Sequence, residues 1–428
     1  MSHPLLDLDS ILDSRLAAGT KGLPPSGEGI AIRDVPAQGW NLLDGTVPMP
    51  AAVLRASALA GNLTAFQGYI DRAGVKLAPH GKTSMCPQLF DRQLRAGAWG
   101  MTVATYAQAK TALGVGVKRL LVANELVGEA EIRALAAHDG APNDVMILSL
   151  VDSAAGVERM AAILEKAEIA KPFNVLVELG IVGGRTGARG VEAALAVARR
   201  VAESPRLALA GVEGYEGLIV TGDAVADAAR VDTFLNDLLH LFDSCRAEGL
   251  FACAPILSAG GSAYFDLVAR GLRTEGVTTL VRSGCYLTHD TGFYKKLLDH
   301  LGERAVMGAA PALKPALEVW AQVVSRPEPG LVLVNAGRRD LSDDAGLPRV
   351  ESWTRPGPNA VPQAVTDWAF VRMNDQHGYI RVPEDAAITV GDYVALGISH
   401  PCTTFDRWPL LLEVDDAYRV VAALKTFF

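Results

Sequence analysis

Three groups of residues in this sequence could do chemistry. The first is Lys82, which closes the stretch Val75-Lys76-Leu77-Ala78-Pro79-His80-Gly81-Lys82-Thr83, a short apolar run ending in a polar turn. An amine at the mouth of a strand becomes a nucleophile toward an aldehyde once it is desolvated and deprotonated. Taken alone, such a lysine is far more often a solvated surface residue. The second group is a pair of glycine-rich loops with hydroxyls, Ala259-Gly260-Gly261-Ser262 and Ser283-Gly284-Cys285-Tyr286. Glycine lets backbone N–H groups approach phosphate oxygens, and a helix N-terminus behind them adds a favourable field. Singly, each loop reads as a tight turn. Together with Lys82 they point to a phosphorylated cofactor tethered by a Schiff base, and pyridoxal 5'-phosphate meets each requirement. The third group is His400-Pro401-Cys402. In extended backbone this spacing turns both side chains to one face. Imidazole and thiolate are good zinc ligands, and two protein ligands leave positions for water and substrate. A buried cysteine beside an unrelated histidine is the commoner meaning of such a pair. His377, a lone histidine, reads as structural.

These groups need a scaffold. From Val75 onward, short apolar runs alternate with helical spacing. Strands are expected at residues 75–78, 100–104, 119–123, 144–150, 174–178, 207–212, 256–258 and 279–282. Helices are expected at 106–113, 129–137, 154–167, 190–202 and 224–247, preceded by an amphipathic helix at 57–73 with Ser57 as its N-cap. Eight strands with intervening helices are the count of an α/β fold of the TIM (β/α)8 barrel type, and βαβ alternation demands parallel pairing. A doubly wound open sheet competes, but no G-x-G-x-x-G follows the first strand. In a barrel the working residues follow the C-terminal ends of the strands. Here they are Lys82, Thr105 and Tyr106, Asn124 and Glu125, Asp152 and Ser153, Arg185 and Thr186, and Glu213 with Tyr215 and Glu216. The two glycine loops complete the set, at the place where barrels commonly bind phosphate.

After about residue 300 the texture changes to short β-like runs at 316–325, 330–335, 370–373, 378–382, 393–396 and 410–413, with helical spacing only in the last residues. The expected organisation is an N-terminal extension (1–47) that packs with the β domain, a cofactor-binding barrel (48–300) and a mostly-β domain with the metal site (301–428). The extension is rich in Gly and Pro, with a weak strand at 29–33.

Half of the 428 residues are hydrophobic and only 6% aromatic, which suits an Ala/Val/Leu-rich α/β core. The net charge of −8, without a basic run, argues against a nucleic-acid partner. The five cysteines form no CxxC pair, which fits a reducing cytoplasm better than a disulfide framework. No signal-peptide pattern and no membrane-spanning apolar run is present, so a soluble, cytoplasmic protein without a membrane partner is expected.

Pro79-His80-Gly81-Lys82-Thr83, Val177-Glu178-Leu179-Gly180 with Gly184-Arg185-Thr186-Gly187, Gly214-Tyr215-Glu216-Gly217, Ser258-Ala259-Gly260-Gly261-Ser262 and His400-Pro401-Cys402 form a combination. In that order, between Pro48 and Asp406, they resemble the D-serine dehydratase / D-threonine aldolase family. The resemblance implies a fold-type III pyridoxal-phosphate enzyme, similar to alanine racemase, with a C-terminal β domain. Such enzymes are typically homodimers with the active site near the subunit interface. It implies that Lys82 forms the internal aldimine, that Arg185 lies near the cofactor ring, and that Tyr215 contacts the cofactor. Gly260, Gly261, Ser262, Gly284 and Cys285 would hold the phosphate, and His400 and Cys402 a divalent metal, Zn2+ foremost. The family divides at the metal pair: His-x-Cys looks like the zinc-dependent dehydratases, whereas the aldolases usually carry His-x-Asp. Gly81, Glu178 and Asn335 stand where alanine, aspartate and aspartate are frequent, which points to a subgroup whose substrate differs from D-serine. The implied activity is that of a D-serine dehydratase (deaminase)-like lyase, converting a D-3-hydroxy amino acid to a 2-oxo acid and ammonia with metal-assisted loss of the β-hydroxyl. The alternative is retro-aldol cleavage to glycine and an aldehyde. A racemase, which needs no metal, and a non-catalytic cofactor carrier, which resembles the barrel alone, fit less well.

Overall fold

The computed structural model describes residues 5–140, 144–169, 171–219, 221, 223–261, 263–299, 301 and 310–428. After β1 (Ala51–Arg55) and the helix Ala56–Ala73 come the strands of a curled parallel sheet. They are β2 (Lys76–Leu77), β3 (Met101–Val103), β4 (Arg119–Glu125), β5 (Met146–Val151), β6 (Phe173–Gly180) with the short β7 (Ala188–Arg189) beside it, β8 (Leu207–Gly214), β9 (Ile256–Ala259) and β10 (Thr278–Val281). They pair in the order β2-β10-β9-β8-β6-β5-β4-β3. The ring closes between β2 and β3 through a parallel bridge, His80↔Thr102, where the Thr102 N–H donates to the Pro79 carbonyl at 2.9 Å. This is the (β/α)8 barrel expected from the alternation, with all eight strands in place. Helices not expected from the spacing include Pro87–Arg95, Phe265–Leu272 and Phe293–Asp299.

Strand alternation explains why the barrel is apolar inside and reactive at one end. Ala78, Leu121, Leu148, Leu150, Leu176, Ala210, Ile256 and Leu280 form one interior cluster, with Ala123 packed against it. Two residues further along a strand, the side chain faces the same interior. At those positions the sequence turns polar: His80, Glu125, Glu178, Ser258 and Arg282. Strand β8 reaches the same pattern through a bulge. Leu209 pairs with Val175 and Gly211 with Leu176, so Ala210 is the extra residue and Glu213 arrives on the inner side. Gly211 leaves no room for a side chain, because a Cβ there would stand 1.9 Å from the Ile256 carbonyl oxygen.

The second sheet contains β11 (Leu317–Glu328), β12 (Leu331–Val334), β13 (Arg349–Thr354), β14 (Gln363–Ala364), β15 (Ala369–Met373), β16 (Gly378–Arg381), β17 (Tyr393–Gly397), β18 (Leu410–Val414) and β19 (Val420–Lys425). Its main path is β14-β13-β17-β11-β1-β18-β19. The boundary at residue 48 would place β1 with the barrel, but β1 lies inside this second sheet. Ala51 faces Trp320 across an antiparallel pair, and Val53 faces Leu412 across a parallel one. The last residues form β19 rather than a helix.

The N-terminal extension packs on the second sheet and is clipped to the barrel. Leu42 N–H donates to the Tyr418 carbonyl and Val420 N–H to the Trp40 carbonyl. The Asp91 carboxylate takes the Leu5 and Leu6 N–H groups at 2.7 and 3.1 Å. The strand at 29–33 is reduced to an isolated bridge, Arg15↔Ala31, ahead of the 3-10 segment Ile32–Gln38. Ser57 does not cap its helix. The N-cap is Arg55, and Ser57 Oγ instead donates to Asp416 at 2.6 Å.

Gly211→Ala is expected to cost about 3 kcal/mol, since β8 and β9 cannot part without opening the ring. The shift of the urea midpoint, followed by tryptophan fluorescence, measures this; an unmoved midpoint contradicts the close approach.

Candidate active site

A cavity of about 260 Å³ opens where the polar ends of the barrel strands meet the second domain. Lys82, Arg185, Tyr215, Gly260, Gly284, Cys285, His400 and Cys402 all line it. Gly261 is buried beside it without lining it, and Ser262 falls outside the described residues. A larger open hollow, about 1030 Å³, lies by the N-terminal extension. Its charges are largely spent on one another, as in Lys21–Asp340 at 2.8 Å and Arg407–Asp406 at 2.9 Å. The chemistry belongs to the smaller cavity.

Lys82 sits in the 3-10 turn Gly81–Thr83 directly after β2. The turn is pinned by the eighth loop: a Cβ on Gly284 would lie 2.6 Å from the His80 carbonyl oxygen, so only glycine fits against it. Tyr215 lies across Gly260, where a Cβ would meet its Cδ2 at 2.4 Å, and the Arg185 guanidinium stands 4.8 Å from the tyrosine ring centre. The Gly260 and Gly261 N–H groups do converge on an anion, as the glycine loop predicts, but that anion is the buried Glu216 carboxylate, at 3.1 and 2.6 Å. Burial raises the pKa of Glu216, and the amide hydrogen bonds oppose the shift.

Beneath the cavity lies a layer of buried charge. Arg282 Nη1 is 2.5 Å from Glu213 Oε2 and donates to Ser258 Oγ at 2.8 Å; Nη2 donates to the Gly214 carbonyl at 2.9 Å. Burial pushes Glu213 up, against the pull of Arg282, and Glu178 adds to the rise. Glu125 is held well above the ordinary carboxylate range, by burial first and then by the Glu178 carboxyl beside it. Sequence reasoning noticed Glu125 and Glu213 but passed over Arg282, whose signal was a cation two residues after Leu280 on the inner face.

The His400/Cys402 pair is not in extended backbone. Pro401 has φ −61° and ψ −47° and leads into the short helix Cys402–Phe405, yet the turn still delivers both side chains to the cavity. His400 Nδ1 is 2.7 Å from Asp344 Oδ2, a partner 56 residues away with no local pattern to mark the pairing. Cys402 Sγ lies 3.4 Å from Thr83 Oγ1 and 3.9 Å from Cys285 Sγ. Contact with Cys402, and then with Asp344, raises His400 to about 9 against the effect of burial. Cys402 is lowered well below the usual thiol value by the hydrogen bond with Cys285 and by His400 and Thr83, against burial. Among the described residues, no three His, Cys, Asp or Glu side chains already converge as a metal cage.

Residues 54–291, more than half of the chain, match the family model for the alanine racemase N-terminal domain, and residues 316–414 match that for a serine dehydratase domain. The chain belongs to the family of the alanine racemase N-terminal domain. This member of the family is similar to the D-threonine aldolase of Arthrobacter sp., at 29% identity over 373 residues, 86% of this chain and 90% of that one. It is similar also to the D-threo-3-hydroxyaspartate dehydratase of Delftia sp. (strain HT23), at 26% identity over 390 residues, 88% and 95% of the two chains. The crystal structure of D-threonine aldolase from Filomicrobium marinum shares the fold, with a TM-score of 0.72 and 25% identity over 91% of this chain and 98% of that one. The pyridoxal-phosphate cofactor of the family fits the donor set here: an amine, a guanidinium stacked on an aromatic ring, and glycine loops around one cavity. A soft divalent metal fits an imidazole steadied by a carboxylate beside a thiolate.

Because the Glu125 pKa is raised in the folded state, its stabilising contribution is complete in acid and is lost as pH rises through neutrality. Glu125→Gln keeps a donor toward Glu178 and removes the ionisation. It is expected to flatten the decline of thermal stability between mildly acidic and mildly alkaline pH; parallel pH profiles for variant and wild type contradict this.

Proposed function

We propose that this chain is a lyase dependent on pyridoxal 5'-phosphate and a divalent metal, acting on a D-3-hydroxy amino acid to give a 2-oxo acid and ammonia. What carries this reading is the meeting of Lys82, from the barrel, with His400 and Cys402, from the second domain, across one cavity. When bound, the cofactor supplies an electron sink for the α-carbon and the metal a Lewis acid for the β-hydroxyl. Lys82 would hold the cofactor through its amine, and the same amine, once released, takes the substrate α-proton. Arg185 and Tyr215 orient the ring side of the cavity. The loops of Gly260, Gly261, Gly284 and Cys285 would hold the phosphate; for the first two, Glu216 must yield their N–H groups. His400 and Cys402 would hold the metal, with Asp344 fixing the imidazole from its Nδ1 side.

One observation on relatives supports the metal role. A D-threo-3-hydroxyaspartate dehydratase has been solved with a histidine replaced by alanine, and in a metal-free form with a cysteine replaced by alanine. Those two positions are separated by one residue, as His400 and Cys402 are. A second reading, retro-aldol cleavage to glycine and an aldehyde, is favoured by the higher identity with D-threonine aldolase, 29% against 26% for the dehydratase. There a base removes the β-hydroxyl proton in place of the α-proton, and the Cα–Cβ bond breaks.

Product analysis after incubating the zinc- and cofactor-loaded enzyme with D-threonine decides between them. The expected products are 2-oxobutanoate and ammonia; glycine and acetaldehyde would replace the dehydratase with the aldolase. Lys82→Ala is expected to abolish turnover of either kind. Chelation or Cys402→Ala is expected to impair elimination while the visible absorbance of bound cofactor persists, and full activity in a verified metal-free enzyme contradicts the metal role.

A further inference from the structure

We propose that Cys285 is a third protein ligand of the metal held by His400 and Cys402, making a Cys2His set with one position left for the substrate oxygen. The inference rests on the metal reading above and adds a ligand from the barrel to a pair from the second domain. Cys285 Sγ and Cys402 Sγ are 3.9 Å apart. That is far beyond a disulfide bond, about 2.05 Å, so both are thiols. Two thiolates on one tetrahedral zinc stand about 3.8 Å apart, the edge fixed by Zn–S bonds of about 2.3 Å. The two sulfurs therefore already have the separation that a shared ion requires.

The neighbours agree with this placement. Thr83 Oγ1 touches both sulfurs, at 3.4 Å from Cys402 and 3.9 Å from Cys285, so the pair is presented as a unit beside the Lys82 turn. His400 interacts with Asp344 through Nδ1, which leaves its other ring nitrogen for an ion. Cys285, His400 and Cys402 all line the same cavity. Three protein donors with an open fourth position are the common complement of a catalytic zinc. The three do not yet converge on one point, so the ion itself would draw them together. A phosphate role for Cys285 then falls to its backbone, because the side chain is directed at Cys402. Two thiolates also select soft ions: zinc or cobalt is held in preference to magnesium or manganese.

The test is a titration of cobalt(II) into metal-stripped, cofactor-loaded, reduced enzyme, read by the thiolate-to-cobalt charge-transfer absorbance in the near ultraviolet. Cys285→Ser is expected to lose about half of the wild-type band, one of two thiolates being gone. Cys253→Ser, which alters an exposed cysteine outside the cavity, is expected to leave the band intact. An undiminished band in folded Cys285→Ser overturns the proposal and leaves the His400/Cys402 pair standing. Absence of any thiolate band in the wild type overturns the metal reading itself. Should Cys285→Ser fail to fold, X-ray absorption of the zinc-loaded wild type counts sulfur ligands directly: two support the proposal and one rejects it.

Discussion

A single guanidinium holds the mouth of this barrel in shape. Arg282 reaches Glu213 on β8, Ser258 on β9 and the Gly214 carbonyl, so one side chain ties three neighbouring strand ends. A cation this deeply buried persists only when its donors are met, and removing a partner from such a pair costs about 3–5 kcal/mol. The loops that leave those three ends carry Tyr215 and Glu216, Gly260 and Gly261, and Gly284 and Cys285. That side of the cavity is therefore as rigid as this network. Glu178 and Glu125 extend the layer with carboxyl groups, and burial holds Glu125 and Glu213 above the ordinary carboxylate range.

The barrel was legible because parallel strands buried on both faces read as apolar runs, and eight of them recur with helices between. Lys82 and the glycine loops could then be placed by the rule that function follows strand ends. What was not legible depends on distant contacts. Ala51–Arg55 has the same apolar texture as a barrel strand, and only its partners Trp320 and Leu412 assign it to the other sheet. Asp344 gives no local sign that it will orient His400. The glycine loop reads as a phosphate site, but here the Gly260 and Gly261 amides meet the buried Glu216 carboxylate from the loop before it. The His-x-Cys side chains do share one cavity, but through a helical turn begun by Pro401 and not through extended backbone.

The site is a joint between two folding layers, each with a separate chemical duty. The barrel brings an amine and two glycine loops to the cavity; the second domain brings an imidazole and a thiol. Relatives named for two different reactions match this chain over most of its length, so the shared fold does not by itself fix which bond breaks. The two layers touch inside the cavity where Thr83 and Cys285 of the barrel meet Cys402 of the second domain.

The central position of β1 has a consequence for how the chain is made. Synthesis proceeds from the N-terminus, so β1 emerges long before the strands on either side of it. Its first neighbour, β11, follows about 270 residues later, a delay on the order of 15–50 s at ribosomal rates of about 5–20 residues per second. Throughout that interval an apolar strand with two unpaired edges is tethered to a barrel still being threaded. The second sheet is therefore begun before the barrel and completed after it, so its first strand must wait for partners made on the far side of the barrel.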